Sequence, residues 1–380
     1  MKLTSLLVAF IWVAAGWGLI SAEAATNDKN CNVPALKPGQ WVPLFELEEN
    51  LFPSLVIATA TLHGDEGDEK EDPWRKGDFW GMIGVAVCPP ADKCQVKVEI
   101  TGSNFVRSGS FSGELPKGNS TYTIFPTLKY DYDKLLTVKQ VVPEDLTFKV
   151  TIGGQPVAEK VVRVNVHPIN ECVFAYVDVN GVYNDVAWMF AAYVNENHPI
   201  IDDLLQEALS SGMVDSFAGY GKESDGVLEE INAIWETLQK KGFRYSSITT
   251  GANGSEWVNS QHVRLFGESL KHKQANCVDG SVMLASILRK IGLNVSLVVM
   301  PEHMMVAVDL DEKGDRTIFI ETTLMGKHTL KDAMESGQED FEKVAKRFES
   351  DKKEDWDYQI VNIAEARTLG IMPLKDASAK

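Results

Sequence analysis

Two periodicities divide the chain. From about Gln40 to His167, short runs of β-type residues are separated by turns. The better strand candidates are Leu55 to Thr61, Phe79 to Val87, Gln95 to Ile100, Ser120 to Leu128, Leu146 to Ile152 and Ala158 to Val166. Gly, Pro, Asn and Asp punctuate the gaps, as in Gly153-Gly154-Gln155-Pro156. A run of strands without a convincing helix predicts an antiparallel β-sandwich of immunoglobulin-like type over residues 31–172.

After Cys172 the apolar period lengthens from two to 3.6. Asp185 to Val194 is one amphipathic stretch, and a second starts at Pro199 and stops at Gly212. A third places Val227, Leu228, Ile231, Ile234, Trp235 and Leu238 on one helical face, ended by Lys240-Lys241-Gly242. Cys277 then opens a helix with Leu284, Ile287, Leu288 and Ile291 on one face, closed by Gly292. Strands are predicted at Val295 to Met300, Met304 to Leu310 and Thr317 to Ile320, with a hairpin loop at Asp311 to Asp315, and a charged helix over about Leu330 to Ser350. The pattern predicts an α+β domain over residues 183–375, with the boundary near Cys172 to Tyr183.

The amino terminus adds a compartment. Lys2, the apolar run Leu6 to Ile20 and the small-x-small Ala22-Glu23-Ala24 predict a cleaved secretory signal over residues 1–24, hence a periplasmic or secreted protein. That apolar run is shorter than the roughly 20 residues that span a bilayer, and no later segment could insert. The formal charge of −17 excludes nucleic acid or an anionic membrane surface as main partner, since both bind through basic excess. With 44% hydrophobic and 24% charged residues, the composition is that of a folded chain. The acidic run His63 to Asp72 does not match helix–loop–helix calcium spacing and reads as a solvated loop.

Export gives the cysteines meaning. Cys31, Cys88, Cys94 and Cys172 lie in the first half and Cys277 stands alone. Four cysteines allow three connectivities; the short separation of Cys88 from Cys94 favours a local bridge, with Cys31–Cys172 closing the domain. Cys277 is then left as a free thiol.

Paired Cys-x-x-Cys, His-Glu-x-x-His and Gly-x-Ser-x-Gly motifs are absent, and Gly219-Tyr220-Gly221-Lys222 lacks the spacer of a phosphate loop. Cys277 sits at a helix start, where partial positive charge favours thiolate and free N–H groups can meet an oxyanion. A thiol nucleophile needs a base, and the base an orienting group. His303 opens the strand that follows, and Glu321 ends its hairpin partner. If the hairpin is centred between Asp311 and Asp315, Glu321 falls opposite or diagonal to His303, on one face in either case.

Gln274-Ala275-Asn276-Cys277-Val278-Asp279-Gly280, Pro301-Glu302-His303 and Glu321-Thr322-Thr323, with the lead-in Gln261-x-Val263-Arg264-x-x-x-Glu268-x-Leu270, resemble the transglutaminase-like superfamily of papain-like cysteine enzymes, in its bacterial exported form. The resemblance covers roughly Ala192 to Pro373. It implies a papain-type α+β domain, a Cys–His–acid triad of Cys277, His303 and Glu321, and a protein or peptide substrate, with no cofactor or metal required. Gln261, from its place in the lead-in, is the candidate oxyanion donor. Three positions depart from the family pattern: Glu321 replaces Asp, Phe266 a frequent Pro, and Glu302 the Gly that often precedes the His. Two other readings remain open on the sequence: a transglutaminase-like binding or scaffolding protein of the cell envelope without turnover, and a Cys–His–Glu zinc site lacking a fourth ligand.

Overall fold

The computed structural model describes residues 33–62, 72–221, 223–246, 255, 257–350, 352 and 355–376. The signal segment, Cys31 and the acidic run up to residue 71 lie outside the described residues. The fold is mixed α+β with several sheets.

The largest sheet runs in the order Arg75–Gly77, Tyr122–Phe125, Ile83–Val87, Trp41–Leu51, Lys160–Val166, Val142–Ile152, Cys94–Gly102, Val106–Leu115, Thr127–Tyr130. Trp41–Leu51 joins its two halves. Trp41 to Phe45 pair antiparallel with Ile83–Val87, whereas Asn50 and Leu51 pair parallel with Asn165 and Val166. Between these stretches Glu48 takes a left-handed φ of 56°, a local break that lets one strand serve both halves. Both halves contribute to one core, with Val85, Ile124 and Tyr122 from the first and Val98, Ile100, Phe148 and Val150 from the second.

Three expectations fail in this half. Leu55 to Thr61 is not a strand: Pro53–Thr59 is a helix with proline in its first turn, where a missing N–H costs nothing. The β-branched Val56 and Ile57 carry the misleading signal. The long strands Trp41–Leu51 and Val106–Leu115 escape detection; in the latter, Ser and Gly alternate with half-exposed residues and leave little hydrophobic period. Finally, Cys88 and Cys94 are free thiols, both buried, and Cys172 is a free thiol with no exposure. Cys94 belongs to the core formed by both halves of the sheet, while Cys88 ends the Ile83–Val87 edge with its N–H on the Gln40 carbonyl (3.0 Å). Closeness in sequence did not bring the two sulfurs together.

A second core gathers the remainder. Helices Ile200–Ser210, Ser224–Lys240, Phe266–His272 and Cys277–Lys290 pack with a sheet ordered Thr317–Ile320, His303–Asp309, Val295–Met300, Gln359–Asn362. Ser224–Lys240 buries Val227, Ile231, Ile234, Trp235 and Leu238, the face its spacing predicts. Cys277–Lys290 differs: every residue from Val278 to Leu288 is buried, so it is a central helix and not an amphipathic one. The stretch Asp185 to Val194 becomes the short strand Tyr183–Asp185 and the 3-10 helix Ala187–Tyr193. At the expected boundary, Glu171–Val177 pairs with Val258–His262 and Tyr183–Asp185. Leu47, Phe52 and Leu55 from the first half also pack into the second core. Among the described residues no helix is long and apolar enough to cross a membrane.

Candidate active site

The Cys277–Lys290 helix starts where the sequence signals it. Asn276 is the N-cap: its Oδ1 accepts the Asp279 N–H at 2.8 Å, and the Asp279 carboxylate accepts the Asn276 N–H at 3.2 Å. This reciprocal cap fixes the backbone entering Cys277. Asp279 is fully buried and also accepts the Arg264 N–H at 2.7 Å and an Arg264 guanidinium hydrogen bond. The lead-in and the helix carrying the thiol are thereby bolted together. Cys277 itself is half-buried, unlike the three other described cysteines. The first-turn N–H groups of Cys277 and Val278 have no acceptor within the helix, as in any α-helix.

His303 and Glu321 meet beside this helix. His303 opens the strand His303–Asp309, which pairs with Thr317–Ile320 in a register that sets Val306 against Ile320 and Ala307 against Phe319. Continued by one residue, this places Glu321 across from Met305 and diagonal to His303, one of the two expected arrangements. His303 Nε2 lies 2.6 Å from Glu321 Oε2. The Cys277 side chain is the other group that acts on this imidazole. With Nε2 at the carboxylate, Nδ1 is the nitrogen left for the sulfur.

The electrostatics follow from these contacts. Cys277, then Glu321, pushes the His303 imidazole up to about 10, against an opposing effect of burial. Burial alone would raise the Glu321 carboxyl, but hydrogen bonds from His303 and Thr323 outweigh it and hold the group below the usual carboxylate range. Glu321 Oε1 accepts both the Thr323 N–H (2.9 Å) and its hydroxyl (2.6 Å). Its side chain is only 5% exposed.

Small residues hold the three elements in place. Thr322 Oγ1 donates to the Cys277 carbonyl at 3.3 Å and lies 3.0 Å from Ser281 Oγ, which donates to the Met304 carbonyl at 3.3 Å. Gly280 belongs to this seam: a Cβ there would sit 3.2 Å from Thr322 Oγ1.

Gln261 is not joined to this group. It lies on Val258–His262, opposite Cys172, and its Nε2 donates to the His262 carbonyl at 3.1 Å. The other lead-in residues have structural roles that the sequence reading left blank. Glu268 accepts from Lys139 Nζ at 2.7 Å and Asn170 Nδ2 at 2.6 Å, linking the lead-in to the first half of the chain. Tyr245 was also missed. It pairs with Ala275 in the short parallel ladder, and burial, then the charges of Cys277 and Glu321, raises its phenol. Only its two-residue strand could have marked it, a signal too short to read. Among the described residues, no cluster of three His, Cys, Asp or Glu is spaced to hold a metal ion.

No family model matches the chain, and no curated protein matches it. One solved structure, described as "a Putative Cysteine Protease from Cytophaga hutchinsonii", aligns over 64% of this chain and 75% of its own, at 10% identity and a TM-score of 0.22.

Proposed function

We propose that the chain is an exported, transglutaminase-like cysteine acyl transferase or hydrolase, with an immunoglobulin-like sandwich over residues 31–172 and the papain-type domain over 183–375. The observation that carries the reading is the His303–Glu321 hydrogen bond beside the helix that Cys277 opens, with Cys277 the first influence on the imidazole. A proton held on His303 leaves the sulfur anionic. Cys277 Sγ then bonds to the carbonyl carbon of a peptide or carboxamide, and His303 gives its proton to the departing nitrogen. The product is a thioester. Water or an amine, deprotonated by His303, attacks that thioester and releases the sulfur, giving hydrolysis or transamidation.

Glu321 holds the imidazole by Nε2 and stabilises its charged form. Two hydrogen bonds from Thr323 fix the other carboxylate oxygen. With Gln261 engaged at His262, the oxyanion role passes to the first-turn N–H groups of the Cys277 helix.

The test is covalent. Intact-mass analysis after incubation with a cell-envelope peptide library should find acyl adducts on Cys277 that are absent from Cys277→Ala. No adduct, together with alkylation by iodoacetamide no faster than that of a free thiol near pH 6, would leave the binding or scaffolding reading. Amino-terminal sequencing of protein recovered from the cell envelope tests export separately.

A further inference from the structure

Beside the Cys277 group lies a pocket of about 300 Å³, lined by Arg244, Tyr245, Thr323, Leu324, Met325, Lys327 and His328. It is contiguous with the site on two sides. Thr323 is the residue whose N–H and hydroxyl hold Glu321, and Tyr245 pairs with Ala275, two residues before Cys277. Its lining is cationic and contains no carboxylate, in a chain whose net charge is −17.

Arg244 directs Nη1 to two carbonyl oxygens, of Phe243 (3.2 Å) and Gly326 (2.8 Å). Among the described residues neither Arg244 nor Lys327 has a carboxylate partner, and Lys327 is exposed. The carboxylate that acts on the lining is that of Glu321, which Thr323 holds and whose charge, after burial, raises the Tyr245 phenol. The backbone between the lining residues Met325 and Lys327 is tightly packed against the segment that carries Arg244. Gly326 has a φ of 101°, and a Cβ there would come within 2.1 Å of the Phe243 carbonyl oxygen.

Resting on the reading of Cys277 as nucleophile, we propose that this pocket is a substrate subsite that receives a carboxylate, so that the preferred acyl donors are acidic peptides. A carboxylate between Arg244 and Lys327 would meet two positive groups that have no carboxylate partner among the described residues. Tyr245 and Leu324 supply the apolar walls for the methylenes that carry it.

A matched pair of thiol reagents tests this without a known substrate. N-iodoacetyl-glutamate α-amide and N-iodoacetyl-glutamine α-amide have the same shape and differ by one negative charge. In both, the sulfur bonds to the methylene carbon as iodide leaves. The ratio of their second-order rates at Cys277 cancels differences in thiol reactivity between variants. We expect the wild-type protein to favour the anionic probe about three- to tenfold, with the preference shrinking at high salt. Lys327→Glu should bring the ratio to about one or below, and Lys327→Arg should restore it. Equal rates for both probes in the wild type, each faster than a free thiol, would overturn the subsite and leave the nucleophile standing. Rates no faster than a free thiol for either probe would overturn the nucleophile, and the subsite with it.

Discussion

Arg264 and Asp279 form an ion pair beneath the mouth of the candidate site, the carboxylate fully buried and the guanidinium side chain 12% exposed. One carboxylate thus serves the helix cap at Asn276, the Arg264 backbone and its side chain. Its work is structural: it sets where the Cys277 helix begins relative to the lead-in strand. Asp279→Asn should destabilise the protein by about 3–5 kcal/mol, because it strands a buried guanidinium. Pairing Asp279→Leu with Arg264→Met should recover part of that loss, since no unpaired charge remains. Urea unfolding of the two singles and the double measures both effects. A single substitution costing under about 1 kcal/mol would mean that the pair is solvated in solution.

The surroundings of His303, Cys277 first and Glu321 second, make stability depend on pH at both ends. His303 is raised to about 10, so its charged form contributes stability that is complete below the ordinary imidazole range and is lost as pH rises through about 10. Glu321 is lowered, so its contribution is present above the usual carboxylate range and is lost as pH falls through the lowered value. Unfolding free energy should therefore plateau around pH 5 to 6 and decline between about 7 and 10. His303→Gln should remove most of that decline. A curve of unchanged slope in the variant would assign the decline to other groups.

Glu321→Gln should keep the fold and lower turnover by roughly 10 to 10³, because an amide orients an imidazole without stabilising its positive form. It should also lower the His303 titration, readable as a downfield-to-upfield shift of its ring proton resonance at a lower pH. Unchanged turnover would mean that another group orients the ring.

The chain made its central features legible where local chemistry and long-range packing agree. The helix opening at Cys277, its Gly292 stop and the Asp311–Asp315 turn are local signals, and they framed Cys277, His303 and Glu321. That His303 and Glu321 share a face followed from the turn position in either register; the structure takes the diagonal one. What stayed hidden is non-local. The Arg264–Asp279 pair spans two elements, Tyr245 reaches the site through a two-residue ladder, and Gln261 proved to be engaged with its own neighbour. The Cys88–Cys94 expectation failed for a related reason: spacing along the chain says nothing of which way each side chain faces.

Cys277 and His303 should behave as one unit. Each substitution to Ala should abolish turnover, and the double variant should be no worse than either single. His303→Ala should also slow alkylation of Cys277 near pH 6, since an imidazolium partner favours thiolate. A packing cysteine would respond differently: slow alkylation in both proteins, and lost stability on truncation without specific loss of chemistry. Equal alkylation rates with and without His303 across pH 5 to 8 would break the pairing.

Glu302, immediately before His303, is exposed and sits at a φ of 60°, in the left-handed region. The sequence marks this same position as one where the resembled family often has Gly. The two facts have one cause: the chain must turn there to deliver His303 into the strand with its ring toward Cys277, and a Cβ resists that turn by about 1–2 kcal/mol. Glycine removes the resistance but gives back about 0.5–1 kcal/mol in unfolded-chain entropy. Glu302→Gly should therefore leave the protein as stable or up to about 1 kcal/mol more stable, with alkylation of Cys277 unchanged. Glu302→Val should lose stability by about 1 kcal/mol or more, because a β-branched residue fits the left-handed region worst, and should slow alkylation by displacing the ring. Urea midpoints and labelling rates on the two variants decide it. A glycine variant less stable than the wild type by more than about 1 kcal/mol would show that the Glu302 side chain, and not its backbone angle, governs this turn.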